Sequence, residues 1–200
     1  MAITINGTGS ITGLTAGGLP DGSVTAADIE TSLDLTGKTV TLPSGTGGKF
    51  ASYAVIADQK TANTDGGSGT SNTWVRRDLN TELFDADGIV SISSNQFTLA
   101  AGSYLIKCSA PSYRANYHQI RLYDSTGSAV VQTGTSEWSW NSNDPIPQTR
   151  SFLCARVTPS ASNTYEIQHI VQTAYSGEDF GRGNNFGTET YTIVEIYKEA

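Results

Sequence analysis

Trp138 and Trp140 stand two residues apart in EWSWNSNDPIPQ (137–148), a polar run that also carries two prolines. If this segment is extended, alternate positions put both indole rings on one side. Flat aromatic faces beside amides and carboxylates suit sugar recognition. A ring stacks on the C–H face of a pyranose, and polar neighbours read its hydroxyls. Asn141, Asn143 and Asp144 follow at once, and the loop AYSGEDFGRGNNFG (174–187) adds Tyr175, Asp179, Arg182, Asn184 and Asn185. These residues form the candidate binding set. The bland alternative is that one or both tryptophans pack into the core or between subunits.

Other chemistry is sparse. His118 and His169 are the two histidines, each inside an extended run, with no HExxH or paired His/Cys spacing that would hold zinc. A hydrogen-bonded role at a strand or subunit face suits them better. No GxSxG elbow occurs, and neither Cys108 nor Cys154 sits in a nucleophile motif. Both cysteines read as small buried thiols on strands. GRGNNFG (181–187) lacks the GK[ST] ending of a phosphate cradle, and FDADG (84–88) reads as a turn rather than a calcium loop. The acidic residues Asp85, Asp87, Asp124 and Asp144 serve as turn formers, and nothing in their spacing marks a glycosidase pair. The expectation is a non-enzymatic protein without metal or cofactor.

The elements that position the candidates are strands. Of 200 residues, 37% are hydrophobic and 16% charged, with 21 glycines and abundant Thr and Ser, which favours short strands and turns. The net charge of -7, with 12 scattered basic residues, speaks against nucleic acid and against an anionic membrane surface. No apolar run approaches a membrane span, and the polar start MAITINGTGSITG lacks the regions of a signal peptide. The expectation is a protein that is either cytoplasmic or assembled in a cytoplasm and released by lysis.

QFTLAAGSYLIKCSAP (96–111) is the centre of the strand pattern. Tyr104, Ile106, Cys108 and Ala110 alternate with Leu105, Lys107 and Ser109, the period of a half-buried strand. The tight Ala-Ala-Gly-Ser link suggests a hairpin with the preceding Phe97 strand. Further strands are expected at 51–59, from Trp74 to the FDADG turn (84–88), and at 89–93, 118–124, 129–132, 150–157, 165–172 and 189–197. About eight to ten short strands argue for a sandwich or barrel. Tyr165, His169, Tyr191 and Tyr197 lie on strands with bulky residues on both faces. Such strands need a second burial partner, so these four are the expected subunit-interface residues.

Residues 1–50 differ from 51–200: they hold no aromatic residue before Phe50 and too few apolar residues to enclose a core. TAADIETSL offers one short helix capped by Thr25, GKTVTLP a strand, and SGTGGK (44–49) a joint. Sparse apolar residues of this kind are ordered by sister chains or a docking surface.

With QFTLAAGSYLIKCSA and the closing ETYTIVEIYK, residues 52–198 resemble a TNF-like jelly roll, the fold of tumour necrosis factor and of complement-q globular heads. The segment INGTGSITGLTAGGLPDGSVTAADIE with LDLTGKTVTLPSG resembles fibre proteins of tailed bacteriophages. Together these resemblances imply an all-β homotrimer with an N-terminal virion-attachment stalk (1–50) and a C-terminal jelly-roll head (51–200). They imply a tail fibre on the virion whose head binds a bacterial surface receptor, glycan or protein. A head or neck fibre or decoration protein with a purely structural role is the alternative. Some complement-q-like heads carry calcium at the trimer apex, which here would need carboxylates from the loops.

Overall fold

A computed structural model describes residues 49–140 and 147–200 of the chain. The expected helix at 25–33, the strand GKTVTLP, and Asn141, Asn143 and Asp144 lie outside them. The described residues form strands joined by turns, with no helix among them.

β1 (Phe50–Lys60), β3 (Thr81–Phe84), β6 (Tyr104–Tyr113), β10 (Gln148–Val157) and β12 (Glu189–Glu199) make a five-stranded antiparallel sheet, order β10-β6-β12-β1-β3. We call it sheet I. Opposite it, sheet II has seven strands, with order β4-β5-β11-β7-β8 for β4 (Val90–Ser93), β5 (Gln96–Leu99), β7 (Asn116–Asp124), β8 (Ala129–Thr133) and β11 (Asn163–Val171). Short β2 (Val75–Arg76) lies along β11, and β9 (Glu137–Ser139) along β7. The chain steps from sheet to sheet at β1–β2, β2–β3, β3–β4, β5–β6, β6–β7, β9–β10, β10–β11 and β11–β12. That alternation makes a jelly-roll sandwich, the architecture expected for 52–198.

The period-two pattern sets which face is buried. Tyr104, Ile106, Cys108 and Ala110 point inward from β6, and Val194 and Ile196 from β12. They meet Phe97, Leu99, Ile120, Leu122, Tyr165 and Ile167 of sheet II in one core. The link at 100–103 is therefore an arch, not the expected hairpin. Phe97 and Leu99 face Tyr104 and Ile106 across the core because both runs carry a wholly apolar inner face, and side-by-side pairing would leave both uncovered. β5 instead pairs with β4 around Ser94 and Asn95, whose φ values of 52° and 61° are those of a two-residue hairpin turn.

Two further expectations change. Leu153, not Cys154, lies opposite Cys108 in register, so Cys108 faces the core and Cys154 the outside. The pair is not jointly buried. Tyr165, His169 and Tyr191 are buried within this chain, so they are not surface available to a sister subunit. Tyr191 is covered by Gly181, whose φ of 124° brings the 174–187 loop so close that a Cβ there would lie 2.4 Å from the Tyr191 ring. Tyr197 alone of the four is half-exposed.

The outer faces of the two sheets differ in kind. On sheet I, Tyr53 stacks on Phe84 at 4.6 Å between ring centroids, and Tyr197 lies 5.2 Å from Phe50 and 6.1 Å from Tyr53. Phe152 and Cys154 extend this surface across β10, interrupted by Lys107 and Glu195, which are register partners. On sheet II the outward side chains form polar networks. Arg76 Nε meets Glu166 at 2.6 Å, Gln96 donates to the same carboxylate at 2.8 Å, and Arg121 donates to Gln168 at 2.7 Å beneath Trp74.

Candidate functional site

One end of the sandwich, hereafter the upper end, gathers most of the described candidate residues. β6 and β7 are joined there by Arg114 and Ala115, with Arg114 and Asn116 at φ values of 57° and 58°. Left-handed backbone at a non-glycine residue costs free energy and persists only where the surroundings hold it. Here Ala115 is fully buried and its N–H donates to Ser139 Oγ at 3.0 Å. Burial of Ser139 turns its neighbours outward, so Trp138 and Trp140 are both exposed. Their rings meet edge to face, 4.9 Å apart at 89°. The indoles therefore share a surface, and neither is a core residue of this chain.

The 174–187 loop reaches the same end. Arg182 N–H donates to Gln148 Oε1 at 2.8 Å, and the next residue, Thr149, donates to the Trp138 carbonyl at 3.3 Å. Arg182 also hydrogen-bonds Tyr113 OH at 2.9 Å, while Arg114 lies 4.6 Å over the Tyr175 ring. Two loops chosen from sequence for their chemistry thus converge in space.

The loop members do not share one role. Asp179 is fully buried and accepts N–H bonds from Gly69 and Tyr175; burial pushes its carboxyl up. It organises the loop and is not placed to touch a ligand, which corrects its candidacy. Asn184 and Asn185 are exposed, but their N–H groups both donate to Glu189 Oε1 at 2.9 Å, so they build a turn around that carboxylate. Those bonds, with one from Asn63, hold the Glu189 carboxyl below its ordinary range. Tyr175 is half-buried under Arg114, and Arg182 is exposed.

Beneath the loop sits a cluster that sequence reasoning missed. Arg77 is fully buried and donates to Thr192 Oγ1 at 2.8 Å, Phe180 O at 2.9 Å and Pro111 O at 3.3 Å. Its guanidinium lies 4.4 Å above the Phe180 ring, and burial draws its pKa down to about 10, so it remains a cation at neutral pH. His169 stacks on Phe180, 5.3 Å between centroids and 7° from parallel. His118 Nδ1 and His169 Nε2 lie 3.0 Å apart, and His118 Nε2 is 2.8 Å from Thr149 Oγ1.

Hydrogen-bond satisfaction fixes the tautomers. Thr149 gives its hydroxyl hydrogen to the Trp138 carbonyl, so it must accept from His118 Nε2–H. His118 Nδ1 is then an acceptor and His169 Nε2–H the donor. His169 Nδ1, which has no partner, is left as a bare lone pair rather than as a costlier buried N–H. A chain of hydrogen bonds therefore runs from His169 through His118 and Thr149 to the backbone of Trp138. Both rings are neutral. Burial first, and the Arg77 charge second, depress His118 to about 4 and hold His169 well below the usual histidine value.

Tyr117 was also missed. It lies opposite Trp138 in the β7–β9 register and is 65% exposed, the next outward position on the same face. The outward period of β7, starting one residue before the expected strand at 118–124, leads to it. Among the described residues no group of three or more His, Cys, Asp or Glu is placed to hold a metal ion.

No family model matches the chain, and no curated protein matches it. Solved structures do. The globular domain of zebrafish complement 1qA protein shares 14% identity at a TM-score of 0.46, over 73% of this chain and 95% of that one. Murine APRIL at pH 5.0 shares 7% identity at 0.49, over 74% and 98%, and Eiger TNF from S. frugiperda 9% at 0.45, over 74% and 92%. At such identities and TM-scores the likeness carries no family, partner or site across. By their own strand order the described residues form an all-β jelly-roll sandwich.

Proposed function

We propose that this protein is a non-enzymatic, homotrimeric fibre of a bacteriophage particle. Residues 1–50 attach it to the virion, and the jelly-roll head recognises the bacterial surface for adsorption. The observation that carries the reading is the contrast between the outer faces. Sheet I exposes an aromatic cluster (Phe50, Tyr53, Phe84 and Tyr197), with Phe152 exposed beyond the Lys107–Glu195 pair on the same face, of the kind that marks protein contact sites. The occupant is a second and third copy of the same surface, which leaves the polar sheet II and the tryptophan-bearing end free. Three heads on one stalk would multiply a weak affinity for a repetitive receptor.

Tyr53→Asp with Phe152→Asp places two charges in that aromatic surface without touching the inner core. The variant is expected to sediment as a folded monomer where the parent sediments as a trimer. A variant that stays trimeric removes sheet I as the interface. A chain lacking residues 1–48 is expected to remain a folded trimer that no longer joins the particle. Particles whose adsorption is unaffected by loss of the head would transfer the protein to a structural head- or neck-fibre role.

A further inference from the structure

We infer that the upper edge of sheet II carries a saccharide subsite for neutral sugars, built on Tyr117 and Trp138. This rests on the proposed receptor-binding role and names the ligand class and the place. A groove of about 330 Å³ opens beside Tyr117, lined by Asn72, Gln119, Glu137, Ile170 and Gln172, with His118 in its floor. That volume is near the lower bound of small-ligand sites, roughly 300–1,000 Å³, and suits a short stretch of glycan rather than a peptide helix.

The lining has the two parts that sugar binding needs. Tyr117 lines the groove with a flat ring, and Trp138, outside the lining, stands opposite it in register and is braced edge-on by Trp140. Three side-chain amides arrive from three separate elements: Asn72 before β2, Gln119 on β7 and Gln172 after β11. Gln119 spends its amide hydrogens on Gly134 O at 2.8 Å and Ser136 Oγ at 3.3 Å, which fixes the side chain and leaves its carbonyl oxygen to accept. Amides and one carboxylate read hydroxyls in both directions, because a hydroxyl donates and accepts.

Charge decides which sugars. Among the described residues, the ionisable groups lining the groove are Glu137 and the neutral His118, with no Lys or Arg. An anionic uronic or sialic acid would meet Glu137 without a compensating cation, whereas a hexose or N-acetylhexosamine would not. The arginines of this end are engaged elsewhere, Arg114 over Tyr175 and Arg182 with Tyr113.

The test uses the full-length protein on an array of neutral hexose and N-acetylhexosamine oligosaccharides beside sialylated and uronic-acid glycans. Binding is expected on neutral glycans alone. Tyr117→Ala and Trp138→Ala should each weaken it at least tenfold with the trimer and fold unchanged. Phe186→Ala, at a 94% exposed ring on the 174–187 loop, should leave it intact. Glu137→Gln should keep neutral binding and admit uronates. Absence of binding to every glycan, or binding indifferent to both aromatic variants, overturns the subsite. Cells bound equally well by wild type and both variants, with glycan binding also unchanged in the variants, overturn the subsite while receptor binding stands. Glycan binding lost in the variants, with particles whose adsorption ignores them, keeps the subsite and overturns the adsorption role.

Discussion

Replacing Arg77 with methionine is expected to lower the stability of the head by roughly 3–4 kcal/mol. Methionine fills much of the same volume, so cavity formation is a minor part of the effect. The loss comes from three acceptors that the guanidinium joins: Thr192 Oγ1 on β12, Pro111 O on β6 and Phe180 O in the 174–187 loop. Each buried acceptor left without a donor costs about 1 kcal/mol or more. The cation over Phe180 adds to this. For a domain of this size, about 2–4 °C of Tm per kcal/mol gives a drop near 10 °C. Arg77→Lys restores the charge but cannot reach three acceptors in different directions, so it should recover less than half of the loss. Thermal unfolding of the three proteins decides the matter. A methionine variant within about 1 kcal/mol of the parent would show that water or the loop replaces the lost donors.

Acid is expected to unfold the same region from within. His118 titrates near 4 in the folded chain against 6.5 for an ordinary histidine. A histidine with a depressed pKa binds fewer protons folded than unfolded, so stability rises with pH through that interval. The contribution is complete above pH 6.5 and falls as the pH drops from about 6.5 to about 4. At 1.36 kcal/mol per pH unit, His118 alone withdraws on the order of 3 kcal/mol. His169 shifts in the same direction and adds to it. A second cation here would face both the neighbouring imidazole and the buried Arg77 with no carboxylate in contact.

The loss begins above the range where carboxylates act. Glu166, whose pKa lies below 4.5, loses its contribution at lower pH still. Urea titrations at steps between pH 7.5 and pH 4 should show a steep fall in the parent and a flatter one in a His118→Gln, His169→Gln variant. Parallel curves would sink the assignment. Because the hydrogen-bond chain ends at the Trp138 carbonyl, tryptophan fluorescence should change before global unfolding.

Much of the sandwich was legible beforehand because its signal is local. The alternation of Tyr104, Ile106, Cys108 and Ala110 with Leu105, Lys107 and Ser109 follows from one buried face per strand, and the burial pattern agrees. The Ser94–Asn95 hairpin needs only two neighbouring strands and a turn. By contrast, the arch at 100–103 was misread as a hairpin. Alternation says that a face is buried, not whether its cover lies beside the strand or across from it.

The candidate site was legible in part. That the two tryptophans share a side was legible from WSW; that this side is the exposed one follows from the burial of Ser139 between them, which only the structure shows. Asp179 looked like a recognition carboxylate yet serves backbone N–H groups that fold the loop. Tyr117 joined Trp138 only through the β7–β9 register, across a gap that no local pattern spans.

The sequence by itself determined the strand alternation, the all-β class, the poverty of metal and catalytic motifs, and the contrast between 1–50 and 51–200. These depend on residue type and near-neighbour spacing. Tertiary structure alone decided that Arg77, His118, His169 and Phe180 form one buried cluster, and that Tyr165, His169 and Tyr191 serve this chain's own interior. Arg77 and Phe180 are separated by 103 positions, and His118 and His169 by 51. Their contact is a product of chain topology, since burying each apolar face once forces the strands to cross between sheets.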